Sequence, residues 1–129
     1  MTTGAGPAPK LERHAALRDA LEAEREAARA ARRRGDESGE WRHLERAHIV
    51  SQPMAWRHIS SHAAMLRAAV RRGDQREIVG QLLRLLLAAP GSLTGRYPVG
   101  NTGGADVSAF RPMPVPEDLR PLLNVEDAA

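Results

Sequence analysis

The chain has 129 residues and a formal net charge of +3, and only four of its residues are aromatic: Trp41, Trp56, Tyr97 and Phe110. That length suits one domain and is too short for two, and the core must be built from aliphatic side chains and alanine. The absence of cysteine excludes disulfides, thiolate metal sites and cysteine nucleophiles, and fits a reducing, cytoplasmic setting.

Residues 1–9 carry no basic n-region and no apolar run, so they read as a disordered leader ahead of a single helical domain, 10–123. Residues 10–34 predict a long first helix. His14, Leu17, Leu21, Ala28 and Ala31 fall on one stripe, and Arg32-Arg33-Arg34-Gly35-Asp36 supplies a basic last turn and a glycine stop. A second helix, 38–51, places Trp41, Leu44, His48 and Ser51 on one face. Pro53 suits the first turn of a third helix, 53–72. The inward stripe of that helix is Ala55, His58, Ile59, His62, Met65, Leu66 and Ala69. It ends in Arg71-Arg72-Gly73-Asp74, repeating the earlier stop 38 residues on.

A fourth helix, 74–89, is apolar over a wide arc (Ile78, Val79, Leu82, Leu83, Leu85, Leu86, Leu87) and is expected to be the most buried element, stopped by Pro90-Gly91. Gly80, Gln81 and Arg84 interrupt its apolar run, which is too short and too polar to span a bilayer. The Pro- and Gly-rich segment 90–116 cannot be regular helix. Its apolar residues, among them Val99, Phe110 and Val115, predict that it wraps over the helices. A short closing helix is expected at 117–123, and 124–129 read as a flexible tail. The fold expected is all-α, a four-helix arrangement of two helical hairpins of tetratricopeptide-like period.

The arginines alternate with acids, as on solvated helix faces, which argues against nucleic acid as partner. The pattern that points to chemistry is histidine. His48 lies one turn before the break at Gln52-Pro53 and His58 one turn after it, so in an antiparallel hairpin they stand at one level. His62 follows at i+4 and Glu45 precedes His48 by three, each pair sharing a face. With helix axes about 8–10 Å apart, the four side chains can converge. Three imidazoles and a carboxylate suit zinc, iron, nickel or copper. Glu45-x-x-His48 has the spacing of carboxylate-bridged di-iron bundles but occurs once, and His58-x-x-x-His62 lacks the glutamate of a zinc-protease helix.

The same residues could instead form a structural polar network. They could also form a metal-free acid–base site, with His48 or His58 as base and Glu45 fixing its tautomer. The pocket for a small molecule would then take in Trp41, Gln52, Trp56, Asn101 and Thr102. A non-catalytic interaction module is a third reading, and a homodimer is compatible with all of them. Gly100-Asn101-Thr102-Gly103-Gly104 reads as a tight turn that pins the tail, or less readily as an anion cradle or a lid on the histidines.

Glu45-Arg46-Ala47-His48-Ile49 with Gln52, His58 and His62-x-x-Met65-Leu66 resembles the core of domain-of-unknown-function family 3703. Pro98-Val99-Gly100-Asn101-Thr102-Gly103-Gly104 and Val107-Ser108-x-Phe110-x-Pro112-Met113-Pro114 resemble its tail. The resemblance covers about residues 10–123. It implies a small helical bacterial protein and no assigned activity.

Overall fold

A computed structural model describes residues 9–94, 98–108 and 110–123, with the side chains of 87–93 excepted. The expected tail, and all of the expected leader but Pro9, lie outside the described residues. The described chain is all-helical: α1 (Lys10–Arg33), α2 (Glu37–Ser51), α3 (Ala55–Arg72), α4 (Gln75–Leu93), then a 3-10 turn at Glu117–Leu119 leading into α5 (Arg120–Leu123). No strand occurs among these residues, and no helix is long and apolar enough to cross a membrane. Helix α1 packs on α2, α2 on α3, and α3 on α4.

The two basic stop signals build the same joint twice. Gly35 and Gly73 take φ values of 74° and 67°, the left-handed region that glycine enters without a Cβ penalty. At the first joint Gly35 N–H donates to the Arg32 carbonyl and Asp36 N–H to that of Ala31. At the second, Gly73 N–H donates to Val70 and Asp74 N–H to Ala69. Both are Schellman closures of an outgoing helix. The aspartate that completes each also caps the next helix. Asp36 Oδ1 accepts from Gly39 N–H at 2.9 Å and Asp74 Oδ1 from Glu77 N–H at 3.1 Å, meeting donors that the first turn leaves unpaired. Four consecutive residues thus end one helix and begin another.

The joint between α2 and α3 is different. Met54 N–H donates to the Ser51 carbonyl at 2.8 Å, so Gln52 and Pro53 form a turn and α3 starts at Ala55, two residues later than expected. The inward stripes of α1, α2 and α3 follow the periodicity in most of their residues: Leu17, Leu21, Ala28, Ala31, Leu44, His48, Ser51, His58, His62, Met65 and Ala69 are buried, while His14, Trp41, Ala55, Ile59 and Leu66 are half-buried.

The core divides in two. One cluster joins Leu17, Leu21, Ala47, Ile49, Val50 and Met54 to Val115 and Leu119 of the C-terminal segment. The other joins Ala28, Leu44, Met65 and Ala68, with Trp41 and Ala64 against it. The returning segment is held at the surface by Arg46, whose guanidinium bridges Glu24 of α1 (2.8 Å) and Asp118.

Helix α4 corrects two expectations. It is not the most buried element: Val79, Leu82, Leu83 and Leu86 are 57%, 49%, 56% and 75% exposed, while Glu77 and Gln81 face inward. Among the described residues α4 packs chiefly on α3, and the polar stripe Glu77, Gln81, Arg84 takes that inner side. Nor does the helix stop at Pro90-Gly91; it runs to Leu93. A proline this near a C-terminus removes one i→i−4 bond, here to Leu86, which lies on the solvent side where water can satisfy its carbonyl.

A Cβ at Gly73 would meet no neighbour within 4 Å, so its substitution isolates the backbone cost. Gly73→Ala is expected to destabilise by about 1–2 kcal/mol, read as a melting temperature lowered by roughly 3–8 °C, with the helical circular-dichroism spectrum retained.

Candidate metal centre

Three imidazoles meet between α2, α3 and α4. His48, His58 and His62 are 2%, 4% and 4% exposed. His48 Nε2 lies 3.0 Å from His62 Nε2 and 2.9 Å from His58 Nε2. The His48 ring stands edge to face against the other two, which are tilted by 41° to each other, with centroids 4.5–5.1 Å apart. Among the described residues, these three form the group whose ligand atoms could hold one metal ion.

The far side of each pair of rings decides what these contacts are. His48 Nδ1 lies 2.7 Å from the backbone carbonyl of Asn101. A carbonyl only accepts, so His48 carries its proton on Nδ1. His62 Nδ1 lies 2.8 Å from Gln81 Oε1. The Gln81 amide cannot be turned over, because its Nε2 donates to the Gly103 carbonyl (2.8 Å) and to Glu77 Oε2 (3.2 Å). His62 therefore donates from Nδ1 as well. In their neutral forms both rings point a bare lone pair at the other across 3.0 Å, with no proton between them. At most the His58 Nε2 proton is available to three nitrogens.

A positive charge at the centre removes that conflict. Two nitrogens each about 2.0–2.1 Å from one ion lie about 2.9 Å apart at a right angle and about 3.4 Å apart at a tetrahedral angle. The two separations that involve His48 match the first, and the ligand atoms of all three residues lie within 4.8 Å of one another. Holding a ligand histidine by its other nitrogen, through a carbonyl or an amide oxygen, is the usual outer shell of a metal site.

Burial keeps the imidazoles neutral, as metal ligation requires. It pushes His48 well below its ordinary range, with His62 and His58 adding to the effect. It lowers His58 to about 4, again with His62 contributing. His62 is lowered chiefly by burial, against the raising effect of Gln81, and Arg84 adds to the lowering.

The segment after α4 supplies the fourth wall. Gln52 ties it to the end of α2, its Nε2 donating to the Pro98 carbonyl (2.9 Å) and its Oε1 accepting from Gly100 N–H (3.0 Å). Asn101 draws the segment into a ring, donating to the carbonyls of Ser108 and Arg111 and accepting from Gly103 N–H. Gly103, at φ 82°, lies on the face of the His48 ring; a Cβ there would come within 2.8–2.9 Å of three ring atoms. The tight-turn reading describes this geometry. As an anion cradle it is poorly placed, since the N–H groups of Gly100, Asn101, Gly103 and Ala105 already donate to protein oxygens.

The remaining sequence candidates are dispersed. Glu45 is not in the group of ligand atoms. Its half-buried carboxyl faces Thr102, Asp106 and Glu77, and burial first, then Asp106, raise its pKa. The Thr102 hydroxyl, buried beside it, makes no hydrogen bond of good geometry, although its proximity still favours the Glu45 anion. Trp41 belongs to the second core cluster, under Arg72, whose guanidinium carbon is 5.1 Å from the ring centre. Trp56 is 73% exposed and is neither a core anchor nor a pocket wall. It precedes His58 by two positions, which turns it about 200° away around the helix. Of the proposed small-molecule pocket, Gln52 and Asn101 brace the site and Trp41 and Trp56 lie elsewhere.

Sequence reasoning missed Gln81 and Glu77. Gln81 registered only as a break in an apolar run, yet Glu77, Gln81 and Arg84 sit at i, i+4 and i+7, and that polar periodicity was the available signal.

The metal-free protein should lose stability in acid. Unfolded histidines titrate near 6.5 and the folded ones lower, so the unfolded state binds more protons in between. Their contribution is fully present above pH 6.5 and declines as pH falls toward the folded values, about 4 for His58. Urea midpoints measured from pH 7.5 to 4.5 in the presence of a chelator should fall through that window, and by clearly less in a His58→Gln variant.

Residues 15–123, which include the triad, Gln81 and the segment around Asn101, match a family model described as protein of unknown function, DUF3703. No curated protein and no solved structure matches the chain. The three histidines and the loop that braces them thus lie within one matched span, and the chain belongs to the DUF3703 family.

Proposed function

We propose that this protein binds a divalent transition metal through Nε2 of His48, His58 and His62. The observation that carries the proposal is the pair of bare Nε2 lone pairs of His48 and His62, held 3.0 Å apart by tautomers that Asn101 and Gln81 impose. A purely structural network would place a proton between them. An all-imidazole set suits zinc, iron, nickel or copper(II) over magnesium or calcium, and three protein ligands leave positions for water or a small molecule. Glu45 serves this reading as a nearby acid–base group, its raised pKa and its contact with Thr102 being the support. In the same proposal the helices are two tetratricopeptide-like hairpins of a bacterial, cytoplasmic protein. The repeated Gly-Asp joints and the lack of cysteine support it.

Elemental analysis of protein purified without a histidine tag should find about one zinc, iron, nickel or copper per chain. Metal added to stripped protein should raise the melting temperature, by about 2.7 kcal/mol of stability at a hundred times Kd. His62→Ala should abolish both effects. Gln81→Ala should fold and weaken metal affinity by roughly 10–100-fold. Absence of stoichiometric metal together with no thermal shift would overturn the proposal. Gly103→Ala, which presses on the His48 ring, should lower metal affinity more than it lowers the stability of the metal-free protein.

A further inference from the structure

On the other side of α3 from the histidines lies a cleft of about 320 Å³ between α1, α2 and α3, lined by Arg25, Arg29, Arg32, Arg67 and Arg71. The two sites are separate by helix geometry. On α3 the cleft takes Ser60, Ala64, Arg67 and Arg71, while the core takes His58, His62, Met65 and Ala69. An offset of two positions is about 200° around a helix. On α1 the arginines stand at i, i+4 and i+7, so the two helices present facing rows of guanidinium groups.

The positive charge in the cleft is poorly balanced. Glu40 is the one acid in the lining, and it pairs with Arg71 at 2.6 Å. Arg29 is held by Glu22 and Glu26 at 2.9 and 3.0 Å on the outer surface of α1. Arg25 reaches only the neutral hydroxyl of Ser60, at 3.2 Å. No carboxylate among the described residues forms an ion pair with Arg25, Arg32 or Arg67. Burial lowers the pKa of Arg25; Glu22, the largest charge acting on it, offsets this in part, and Arg57, Arg29 and Arg67 add to the lowering. Like charges are crowded here where the fold has no need of them.

The shape and lining narrow the ligand. Arginine forks match phosphate and carboxylate oxygens two at a time. The volume is at the small end for an organic ligand and larger than a bare phosphate requires. Ala28, Leu44 and Ala64 give an aliphatic floor, and among the described residues no aromatic ring lines the cleft to stack a nucleobase. Glu22 and Glu26 on the flank of α1 would repel a nucleic-acid backbone running past it. We infer that this cleft binds a small phosphorylated metabolite of the sugar-phosphate type, its phosphate held between Arg25 and Arg67 and its body lying on the aliphatic floor.

Titration calorimetry on the full chain in a phosphate-free, low-salt buffer tests this with four probes: ribose 5-phosphate, inorganic phosphate, citrate and a short DNA duplex. Ribose 5-phosphate is expected to bind more tightly than inorganic phosphate, and unphosphorylated ribose not at all. Arg25→Gln and Arg67→Gln should each weaken it by roughly tenfold, one charge-assisted contact apiece, with unchanged melting temperature. Arg76→Gln, outside the cleft, should leave binding intact. Absence of heat and of any thermal shift up to about 10 mM ribose 5-phosphate, a concentration that would reveal even a millimolar site, would overturn the inference. So would equal binding by the Arg25 and Arg67 variants. Tighter binding of citrate would overturn the phosphate assignment. Duplex binding stronger than ribose 5-phosphate, and equally sensitive to the two substitutions, would make the cleft a nucleic-acid surface instead. A stripped, metal-free sample run alongside separates failure here from failure at the histidines.

Discussion

Two hydrogen bonds, from His48 Nδ1 to the Asn101 carbonyl and from His62 Nδ1 to Gln81, place the only protons these rings carry on their outer sides. Everything at the centre follows from that placement. Nitrogens facing each other without a proton repel, and a buried site cannot turn to water for relief. The surrounding structure therefore has to hold the rings against that repulsion. It does so from both sides: Asn101 holds His48, while Gln81 holds His62 and donates to Gly103, so that both braces close on the same short loop. The loop is in turn tied to α2 by Gln52 and to α4 by Glu77, which accepts from Ala105 N–H at 2.7 Å.

This chain explains the orientation of α4. A helix with so many leucines would ordinarily bury them. Here burying the leucines would have turned Gln81 and Glu77 outward and left His62 and the Gly103 carbonyl without partners. An unsatisfied buried polar group costs about 1–3 kcal/mol, and several would be lost at once. The cost of the observed arrangement is an outer face in which Leu82, Leu83 and Leu86 are exposed. Polar satisfaction, not apolar area, sets the face that α4 turns inward.

The repeated joints do separate work. Each ends a helix with a left-handed glycine and starts the next with the following aspartate, so the change of helix is set by local hydrogen bonds. The Gln52-Pro53 turn between α2 and α3 carries no such cap, and it is the turn beside which the histidines gather. Between the joints at Gly35-Asp36 and Gly73-Asp74, α2 and α3 form a frame whose two opposite faces hold quite different environments: imidazole and amide on one, guanidinium on the other.

How much of this was legible depended on distance along the chain. Helices, stop signals and the inward stripes of α1 to α3 follow from periods of three and four residues and from glycine's freedom at positive φ, so the sequence alone determined them. It also brought His48, His58 and His62 together, since all three lie within about two turns of one hairpin. Glu45 was grouped with them on the same arithmetic, but facing the right way is not reaching, and its carboxyl turns to Thr102. The bracing residues were beyond such reasoning: Asn101 is 53 positions from His48, and Gln81 is 19 from His62. The facing of α4 and the charge of the arginine cleft were likewise decided only by tertiary structure. Each depends on which helices become neighbours, and a side chain's partner across a helix interface leaves no mark in its own local sequence.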